Sequence, residues 1–363
     1  MIISEVSAVA WTLPLIRTFA IAQRTTDVSK NVLITVRAND GFVGIGECAP
    51  VQYVAGENVD SVIAAISESQ KHIVGLPMDD LNKLLLATAN HIPHAPAARA
   101  GIEMALYDLW ARTAGISLAT HFGPSRHILN SDITLSIASP EQTAERAEEA
   151  RDAGIRNMKV KVGAVSGFAE DVERIVAVLN RVPDAKLKVD ANQAFSPEEA
   201  VSFMKALEIN NIAITLLEQP VDAFDVKGLK YVKDRVDVPV FADESACTAA
   251  QVRTLIAEDA VDGINVKLMK SGITEALEII ELCQRHQKQL MFGCMLESCL
   301  GIAAAVCIAA STGAFDYIDL DSHLLLRPVP ELSNACFVDN EGKIEIVQTP
   351  GDGWGITYQQ ARL

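Results

Sequence analysis

The segment that decides the fold runs from residue 157 to residue 191. It begins with NMKVKV (157–162) and ends with KLKVDA (186–191). Each of these stretches is a short, mostly apolar strand with charged residues near its end, and an amphipathic helical pattern lies between them. A strand, a helix and a second strand in this order predict a unit of parallel sheet with its connecting helix.

The same alternation extends along most of the chain at a spacing of about 25 to 30 residues. The other strands are ITLSIA (133–138), ITLLEQ (214–219), VPVFAD (238–243), GINVKL (263–268), QLMFGC (289–294) and DYIDLD (316–321). Eight strands with seven intervening helices favour a parallel barrel. Periodicity alone also permits an open doubly wound sheet, but no GxGxxG or GxxxxGK[ST] phosphate loop supports one.

The residues before this repeat predict a separate domain. The alternating stretches 32–37 and 42–47 are joined by an Asp-Gly turn, which predicts a β-hairpin, and helical periodicity follows. We therefore predict an α/β protein with an N-terminal α+β capping domain (residues 1–125). A (β/α)7β barrel, a modified TIM barrel, follows (residues 126–323), and a C-terminal segment (residues 324–363) returns to the capping domain and completes it.

The composition excludes some classes of partner. The 363 residues include 31 Lys and Arg against 47 Asp and Glu, a net charge of −16. Such an acidic chain is not expected to bind nucleic acid or an anionic membrane. The N-terminus lacks the basic region of a signal peptide, and the seven cysteines form no CxxC pair. These features predict a cytoplasmic protein, and they leave a monomer and a homo-oligomer equally open.

Three acidic residues come from three consecutive strands. The carboxyl ends of barrel strands meet on one face, so Asp190, Glu218 and Asp243 are expected in one pocket. Carboxylates this close would raise one another's pKa, and a divalent cation removes the repulsion. Oxygen ligands favour Mg²⁺ over Zn²⁺. The alternative is that each carboxylate caps the next helix or pairs with a lysine at the rim.

Three lysines lie on the same face. Lys159 and Lys161 are two residues apart on one strand, so both side chains leave it on the same side. Each ammonium group disfavours protonation of the other, so one of them is expected to be neutral enough to act as a base. Lys267 lies on the sixth strand, across the barrel. The alternative is that these lysines are ordinary solvated rim charges.

Bases on two sides of a metal site predict a particular chemistry. The α-proton of a carboxylate compound is too weakly acidic for an amine base unless the enediolate is stabilised by a metal and a cation. If the proton leaves to one lysine and returns from the other, the carbon inverts. Opposed lysines therefore favour racemisation or epimerisation, whereas a β-elimination needs only one.

Five motifs in order, KVKVG (159–163), VDANQ (189–193), LEQP (217–220), ADES (242–245) and NVKLMKSG (265–272), resemble the enolase superfamily, muconate-lactonizing subgroup. The resemblance implies that Asp190, Glu218 and Asp243 bind Mg²⁺, with Asn192 as a supporting polar group. It also implies that Lys161 and Lys267 form the acid/base pair, and that Lys159 is the electrostatic partner of the substrate carboxylate.

The motif IDLDS (318–322) is similar to the strand-eight DxD of dipeptide epimerases, which implies that Asp319 and Asp321 receive the substrate's α-ammonium group. The alternative is that Asp319 pairs with a rim lysine and Asp321 caps the next turn. AQRTT (22–26) resembles the segment of L-Ala-D/L-Glu epimerases whose arginine, Arg24 here, receives a glutamate side chain. An exposed loop arginine without a ligand is the alternative. Thr134, Cys294 and Leu296 match pocket-lining positions of similar proteins.

These expectations together predict a Mg²⁺-dependent dipeptide epimerase that inverts the C-terminal residue of a dipeptide. The best candidate pair is L-Ala-L-Glu and L-Ala-D-Glu, which would suit murein peptide metabolism. Another enediolate reaction of the subgroup is the first alternative, namely a muconate cycloisomerase, an o-succinylbenzoate synthase or an N-acylamino-acid racemase. A non-catalytic binding barrel is the second alternative.

Overall fold

The computed structural model describes residues 1–124, 128–333, 337–338, 342–345 and 350–359. The strands are β1 (Ile3–Ile21), β2 (Arg24–Ala38), β3 (Val43–Cys48), β4 (Leu129–Asn130), β5 (Ile133–Leu135), β6 (Asn157–Lys161), β7 (Lys186–Asp190), β8 (Leu217–Glu218), β9 (Val240–Ala242), β10 (Gly263–Val266), β11 (Gln289–Gly293), β12 (Tyr317–Asp319), β13 (Leu332–Ser333), β14 (Phe337–Val338), β15 (Lys343–Glu345) and β16 (Thr357–Tyr358). The helices are α1 (Gln52–Ala55), α2 (Val59–Ile73), α3 (Leu81–His91), α4 (Pro96–Ala114), α5 (Leu118–Phe122), α6 (Pro140–Asp152), α7 (Phe168–Arg181), α8 (Pro197–Ile209), α9 (Val226–Lys233), α10 (Ala249–Ala257), α11 (Leu268–Ser271), α12 (Ile273–Arg285), α13 (Cys299–Thr312) and α14 (Ser322–Leu325).

The N-terminal part is an antiparallel sheet of order β1-β2-β3 covered by helices. The predicted hairpin is β2–β3, and Gly41 adopts the left-handed conformation that its turn requires, with φ of 96°. Strand β1 is longer than its alternation indicates, because a register shift between Pro14 and Phe19 lets an edge strand continue past a proline. The longer β1–β2 hairpin brings Arg24, at the start of β2, to the barrel.

The second part is the predicted barrel. Strands β5 to β12 are parallel and neighbour one another in chain order, and a parallel bridge between Ser131 and Ile318 closes the ring. Each of the seven strand-to-strand connections contains a helix. Leu216, Phe241 and Met291 fill the barrel interior. The (β/α)7β barrel with an N-terminal domain is therefore confirmed, although the strands are shorter than the apolar stretches indicate.

Two helices are buried on nearly every side. Helix α4 packs against β3, where Gly44 and Gly46 leave no Cβ in the way of the helix backbone. Helix α13 is apolar along most of its length and packs against α5 and β3. Among the residues that the structure describes, no helix combines the length and the apolar character needed to cross a membrane.

The C-terminal residues contact the N-terminal part. Trp354 is fully buried, its indole Nε1–H donates to Met104 O (2.9 Å), and its backbone N–H donates to Asp108 Oδ1 (3.0 Å). Strand β15 also pairs with β4, which precedes the first barrel strand, so the C-terminal residues contact a second part of the structure. The predicted boundary at residues 125 and 126 lies outside the described residues, and the three-part division of the chain remains a prediction.

Removing the Trp354 side chain should cost a large part of the protein's stability. We expect Trp354→Ala to lower the free energy of unfolding by about 3–5 kcal/mol, because it leaves a cavity and an unpaired carbonyl. Urea denaturation followed by circular dichroism measures the change. Phe224→Ala is the control, since Phe224 is 88% exposed and should change the unfolding midpoint little. Equal midpoints for the two variants would contradict this prediction.

Candidate active site

Three buried carboxylates meet at the carboxyl end of the barrel. Asp190 and Glu218 are the last residues of β7 and β8, and Asp243 directly follows β9. The strand register places Asp190 beside Glu218. One oxygen from each of the three carboxylates lies within 4.8 Å of the others. The three residues that the sequence singled out are therefore close enough to share one cation.

The protonation of these acids reflects their surroundings. Burial and the neighbouring Asp190 raise the pKa of Glu218 to about 7. Burial opposes ionisation of Asp243 as well, but Lys267 and Lys270 outweigh it and lower the pKa of that carboxyl. Glu218 Oε2 forms an ion pair with Lys159 Nζ. Three buried carboxylates whose oxygens approach one another this closely fit a divalent cation.

The predicted lysines contact the same acids. Lys159 Nζ lies 2.6 Å from Glu218 Oε2 and 3.2 Å from Asp190 Oδ2, and Lys161 Nζ lies 2.5 Å from Asp190 Oδ2. Lys267 Nζ donates to Asp243 Oδ2 at 2.7 Å. The carboxylate–lysine pairing considered above as the alternative is thus present in this structure.

The lowering of a lysine pKa predicted for one of Lys159 and Lys161 is not seen for Lys159, nor is the pKa of Lys267 lowered. Burial favours the neutral amine at both sites, but the surrounding carboxylates outweigh it and raise the pKa of each lysine.

Lys161 and Lys267 lie on opposite sides of the barrel. Lys161 ends β6 and Lys267 directly follows β10. Three strands separate β6 from β10 in either direction around the ring of eight. Both side chains line one pocket, so a ligand in that pocket lies between two amines.

The acidic pair at the end of β12 lines the same pocket. Asp319 Oδ2 accepts from Lys159 Nζ (2.8 Å), while its Oδ1 has no hydrogen-bond partner among the described residues. Asp321 Oδ2 accepts from the backbone N–H of Thr134 (2.6 Å), and its side chain does not cap α14. Burial and the nearby Asp319 raise the pKa of Asp321 to about 7. The rim-lysine contact predicted as the alternative is present for Asp319, but the cap predicted for Asp321 is absent.

The capping domain contributes Arg24 to the pocket. Its guanidinium carbon lies 5.5 Å from the centre of the Tyr53 ring, and its Nε is buried without a hydrogen-bond partner among the described residues. The pocket is also lined by Thr134, Lys159, Asn192, Asp243, Cys294, Leu296, Asp319 and Asp321. All the predicted site residues line this pocket except Asp190 and Glu218, which lie beneath it against Lys159.

Sequence reasoning missed several polar residues that hold the site in place. Lys270 Nζ donates to Asp243 Oδ1 (2.6 Å), and Asn265 Nδ2 donates to Glu218 Oε1 (2.7 Å). Glu244 Oε1 accepts from Asn192 Nδ2 (3.2 Å), and burial raises the pKa of Glu244 to about 7. Asn265 and Lys270 belong to the motif NVKLMKSG, and Glu244 belongs to ADES. Polar residues next to buried strand ends were the sequence feature that could have identified them.

Gln219 was also missed, and it positions the third carboxylate. It has a left-handed backbone with φ of 35°, which is strained for a residue with a side chain. Its Oε1 accepts from the backbone N–H groups of Asp243 (2.9 Å) and Ser245 (3.1 Å). No sequence pattern predicts this contact, because the turn that brings the backbone of Asp243 and Ser245 to Gln219 forms only in the folded barrel.

Comparisons with known proteins cover nearly the whole chain. A family model described as "Mandelate racemase / muconate lactonizing enzyme, N-terminal domain" matches residues 3–123, and one described as "Enolase C-terminal domain-like" matches residues 142–362. The aromatic dipeptide epimerase of Herpetosiphon aurantiacus is 36% identical over 97% of this chain and 98% of its own. The L-Ala-D/L-Glu epimerase of Bacillus subtilis is 36% identical over 89% and 88%, respectively.

A solved structure shows the same architecture. The dipeptide epimerase of Enterococcus faecalis, in complex with Mg and the dipeptide L-Leu-L-Tyr, superposes with a TM-score of 0.92. It is 34% identical in sequence, and the match covers 99% of this chain and all of the other. The similarity therefore includes the strand ends that form the pocket as well as the capping domain.

Proposed function

This chain is an enzyme of the mandelate racemase/muconate lactonizing enzyme family within the enolase superfamily, and we propose that it is a Mg²⁺-dependent dipeptide epimerase. It would invert the α-carbon of the C-terminal residue. The observation that carries the proposal is the acidic pair Asp319 and Asp321, which lies in the same pocket as two opposed lysines. A dipeptide has a free amine for that pair, whereas muconate and N-acylated amino acids do not.

Asp190, Glu218 and Asp243 would hold the cation. Their buried, clustered oxygens fit the oxygen ligands that Mg²⁺ prefers. When bound, Mg²⁺ would supply positive charge that stabilises the enediolate form of the substrate carboxylate. Asn192 would support the site, since its backbone N–H donates to Asp190 Oδ1 at 2.9 Å.

Lys161 and Lys267 would move the proton. One amine removes the α-proton from its side of the substrate, and the ammonium group on the other side returns a proton to the planar carbon. Lys159, buried among three carboxylates, would hold its positive charge and would contact the substrate carboxylate. The same residues act in reverse for the opposite epimer.

The position of Arg24 favours a dipeptide substrate whose C-terminal residue has an acidic side chain. Its guanidinium lines the pocket, and Nε has a free donor. A glutamate carboxylate would accept hydrogen bonds from the N–H groups of this guanidinium. L-Ala-L-Glu and L-Ala-D-Glu are therefore our first candidate substrates, with Thr134, Cys294 and Leu296 as further lining residues. A cytoplasmic location and a role in murein peptide metabolism belong to the same proposal.

Proton exchange in heavy water tests the proposed function. Purified protein with Mg²⁺ in D₂O is incubated with a library of L,L-dipeptides, and deuterium at the α-carbon is read by mass spectrometry. We expect exchange and epimerisation at the C-terminal residue, with L-Ala-L-Glu among the best substrates. Absence of deuterium from every dipeptide would overturn the proposal and favour a binding barrel or a different substrate.

Replacing Asp321 should weaken dipeptide turnover more strongly at high pH than at low pH. Because its pKa is about 7, the wild-type carboxylate is ionised above pH 7 and protonated below it. Only the ionised form attracts the substrate ammonium, so wild-type kcat/KM should fall as the pH drops below about 7. Asp321→Asn should lose about 2–5 kcal/mol of transition-state binding, which is about 30-fold or more in kcat/KM, together with this pH dependence.

Two controls separate charge recognition from damage to the fold. Asp316→Asn changes a carboxylate at the start of the same strand, away from the pocket, and should leave kcat/KM unchanged. Any turnover of N-acetyl-L-Ala-L-Glu, which lacks the amine, should be the same for Asp321→Asn and wild type. A wild-type level of dipeptide turnover in Asp321→Asn would contradict the assigned role.

A further inference from the structure

A second cavity adjoins the pocket on its capping-domain side. It measures about 650 Å³ and lies between the β1–β2 hairpin and the segment that carries α1 and the start of α2. Arg24 and Leu296 line both this space, which we call the cap cavity, and the active-site pocket. A ligand group that extends past Arg24 would therefore approach the cap cavity.

The proposed substrate can be extended at a side chain but not at either end of the peptide. Its α-carboxylate is held at Lys159 and the cation site, and its ammonium group is held by Asp319 and Asp321. A further residue at either end of the peptide would replace a charged terminus by a neutral amide and lose these contacts. The side chain of the C-terminal residue carries no such restriction, and Arg24 lies where that side chain leads.

Arg24 does not require a free carboxylate at this point. Its guanidinium presents several N–H donors, and Nε has no hydrogen-bond partner among the described residues. The carbonyl oxygen of an amide accepts such a hydrogen bond, as a carboxylate oxygen does. A side-chain carboxyl group in amide linkage would therefore keep a contact with Arg24 while the attached group continues past it.

The size and polarity of the cap cavity suit an amino acid. Its volume falls in the range of about 300–1,000 Å³ that is common for small-molecule sites. The lining includes charges of both signs, with Lys30 on β2 and Asp60 on α2. Lys30 makes no ion pair in the part of the chain that the structure describes. A carboxylate on the attached amino acid has a cation available there.

We propose that this enzyme also accepts dipeptides whose C-terminal acidic residue carries a further amino acid in amide linkage on its side-chain carboxyl group. The cap cavity holds the added amino acid, while the dipeptide part is bound and epimerised as described above. This inference rests on the proposed function and defines its substrate class more narrowly.

The test compares two substrates in D₂O. The first is L-Ala-L-Glu, and the second is the same dipeptide with glycine amide-linked to the γ-carboxyl group and with the α-carboxyl group free. Deuterium at the glutamyl α-carbon, followed by NMR over time, gives kcat/KM for each. We expect the two values to agree within about tenfold, because the added residue enters an existing cavity.

A variant that fills the cap cavity makes the test specific. Val28 lines the cavity on β2, where tryptophan is compatible with the strand. We expect Val28→Trp to lower kcat/KM for the extended substrate by about tenfold or more, and for L-Ala-L-Glu by less than about threefold. Asp27→Trp adds the same bulk at the neighbouring position, which does not line the cavity, and should affect both substrates equally. Thermal denaturation checks that both variants fold.

The outcomes separate the two proposals. Turnover of both substrates with a selective effect of Val28→Trp supports the inference. Turnover of L-Ala-L-Glu at more than about 1,000 times the rate of the extended substrate overturns the inference and leaves the proposed function intact. Equal effects of Val28→Trp on both substrates also overturn it. If neither these substrates nor any dipeptide of the library exchanges its α-proton, both proposals fall.

Discussion

Lys161→Ala should abolish epimerisation but leave α-proton exchange for one of the two epimers. With opposed bases, each epimer presents its α-proton to a different lysine. Removing Lys161 leaves Lys267 able to take the proton of one epimer and to return a deuteron on the same side. General acid–base catalysis contributes about 10²–10⁴-fold, so the epimerisation rate should fall by at least that factor. Lys267→Ala should show the opposite preference between the epimers.

The measurement uses L-Ala-L-Glu and L-Ala-D-Glu separately in D₂O, with both the isotope and the configuration of the product determined. Lys186→Ala is the matched control, because Lys186 starts β7 at the opposite end of the barrel and is exposed. Exchange of the same epimer in both active-site variants would place the two amines on one side of the substrate. That result would contradict the two-base mechanism.

Glu218→Gln should remove the response of the protein to Mg²⁺. A ligand that binds only the folded state stabilises it by about 2.7 kcal/mol at a concentration 100 times its Kd, so Mg²⁺ should raise the melting temperature of the wild type. The variant keeps the shape of the side chain but removes one of three clustered negative charges. We expect at least a tenfold weaker Mg²⁺ affinity by calorimetry and a loss of the thermal shift. Chelation should stop wild-type turnover, and added Mg²⁺ should restore it.

Glu297→Gln is the control for this experiment. Glu297 is also fully buried, and burial together with Glu47 raises its pKa to about 8, so it is largely neutral at pH 7. It lies outside the acidic cluster, and its replacement should leave the Mg²⁺ affinity unchanged. Equal loss of affinity in both variants would mean that the cluster is not the metal site.

The barrel was predictable because its signal is local and repeated. Each strand from NMKVKV to DYIDLD is marked by an apolar stretch that alternates with helical periodicity, so an error at one strand does not change the predicted fold. The extent of β1 was not predictable, since Pro14 normally ends a strand and only the edge position and the register shift allow it to continue. Short strands such as β8 depend on the closure of the ring, which a sequence pattern does not report.

Some features of the site were likewise predictable from the sequence, and others were not. Residues at strand ends, such as Asp190 and Lys161, could be identified because the topology brings strand ends together. The ionisation of Lys159 could not, because it depends on the balance between burial and three nearby carboxylates. The contacts of Gln219 and Lys270 were equally hidden, since they arise from side chains that reach across turns.

The contact of Trp354 with helix α4 constrains how this chain acquires its structure. Residues 96–114 leave the ribosome long before the indole that completes their packing is synthesised. The N-terminal part therefore cannot reach its final stability before Trp354 has been synthesised. Such distant pairing slows folding and lengthens the exposure of apolar surface to aggregation and to chaperones.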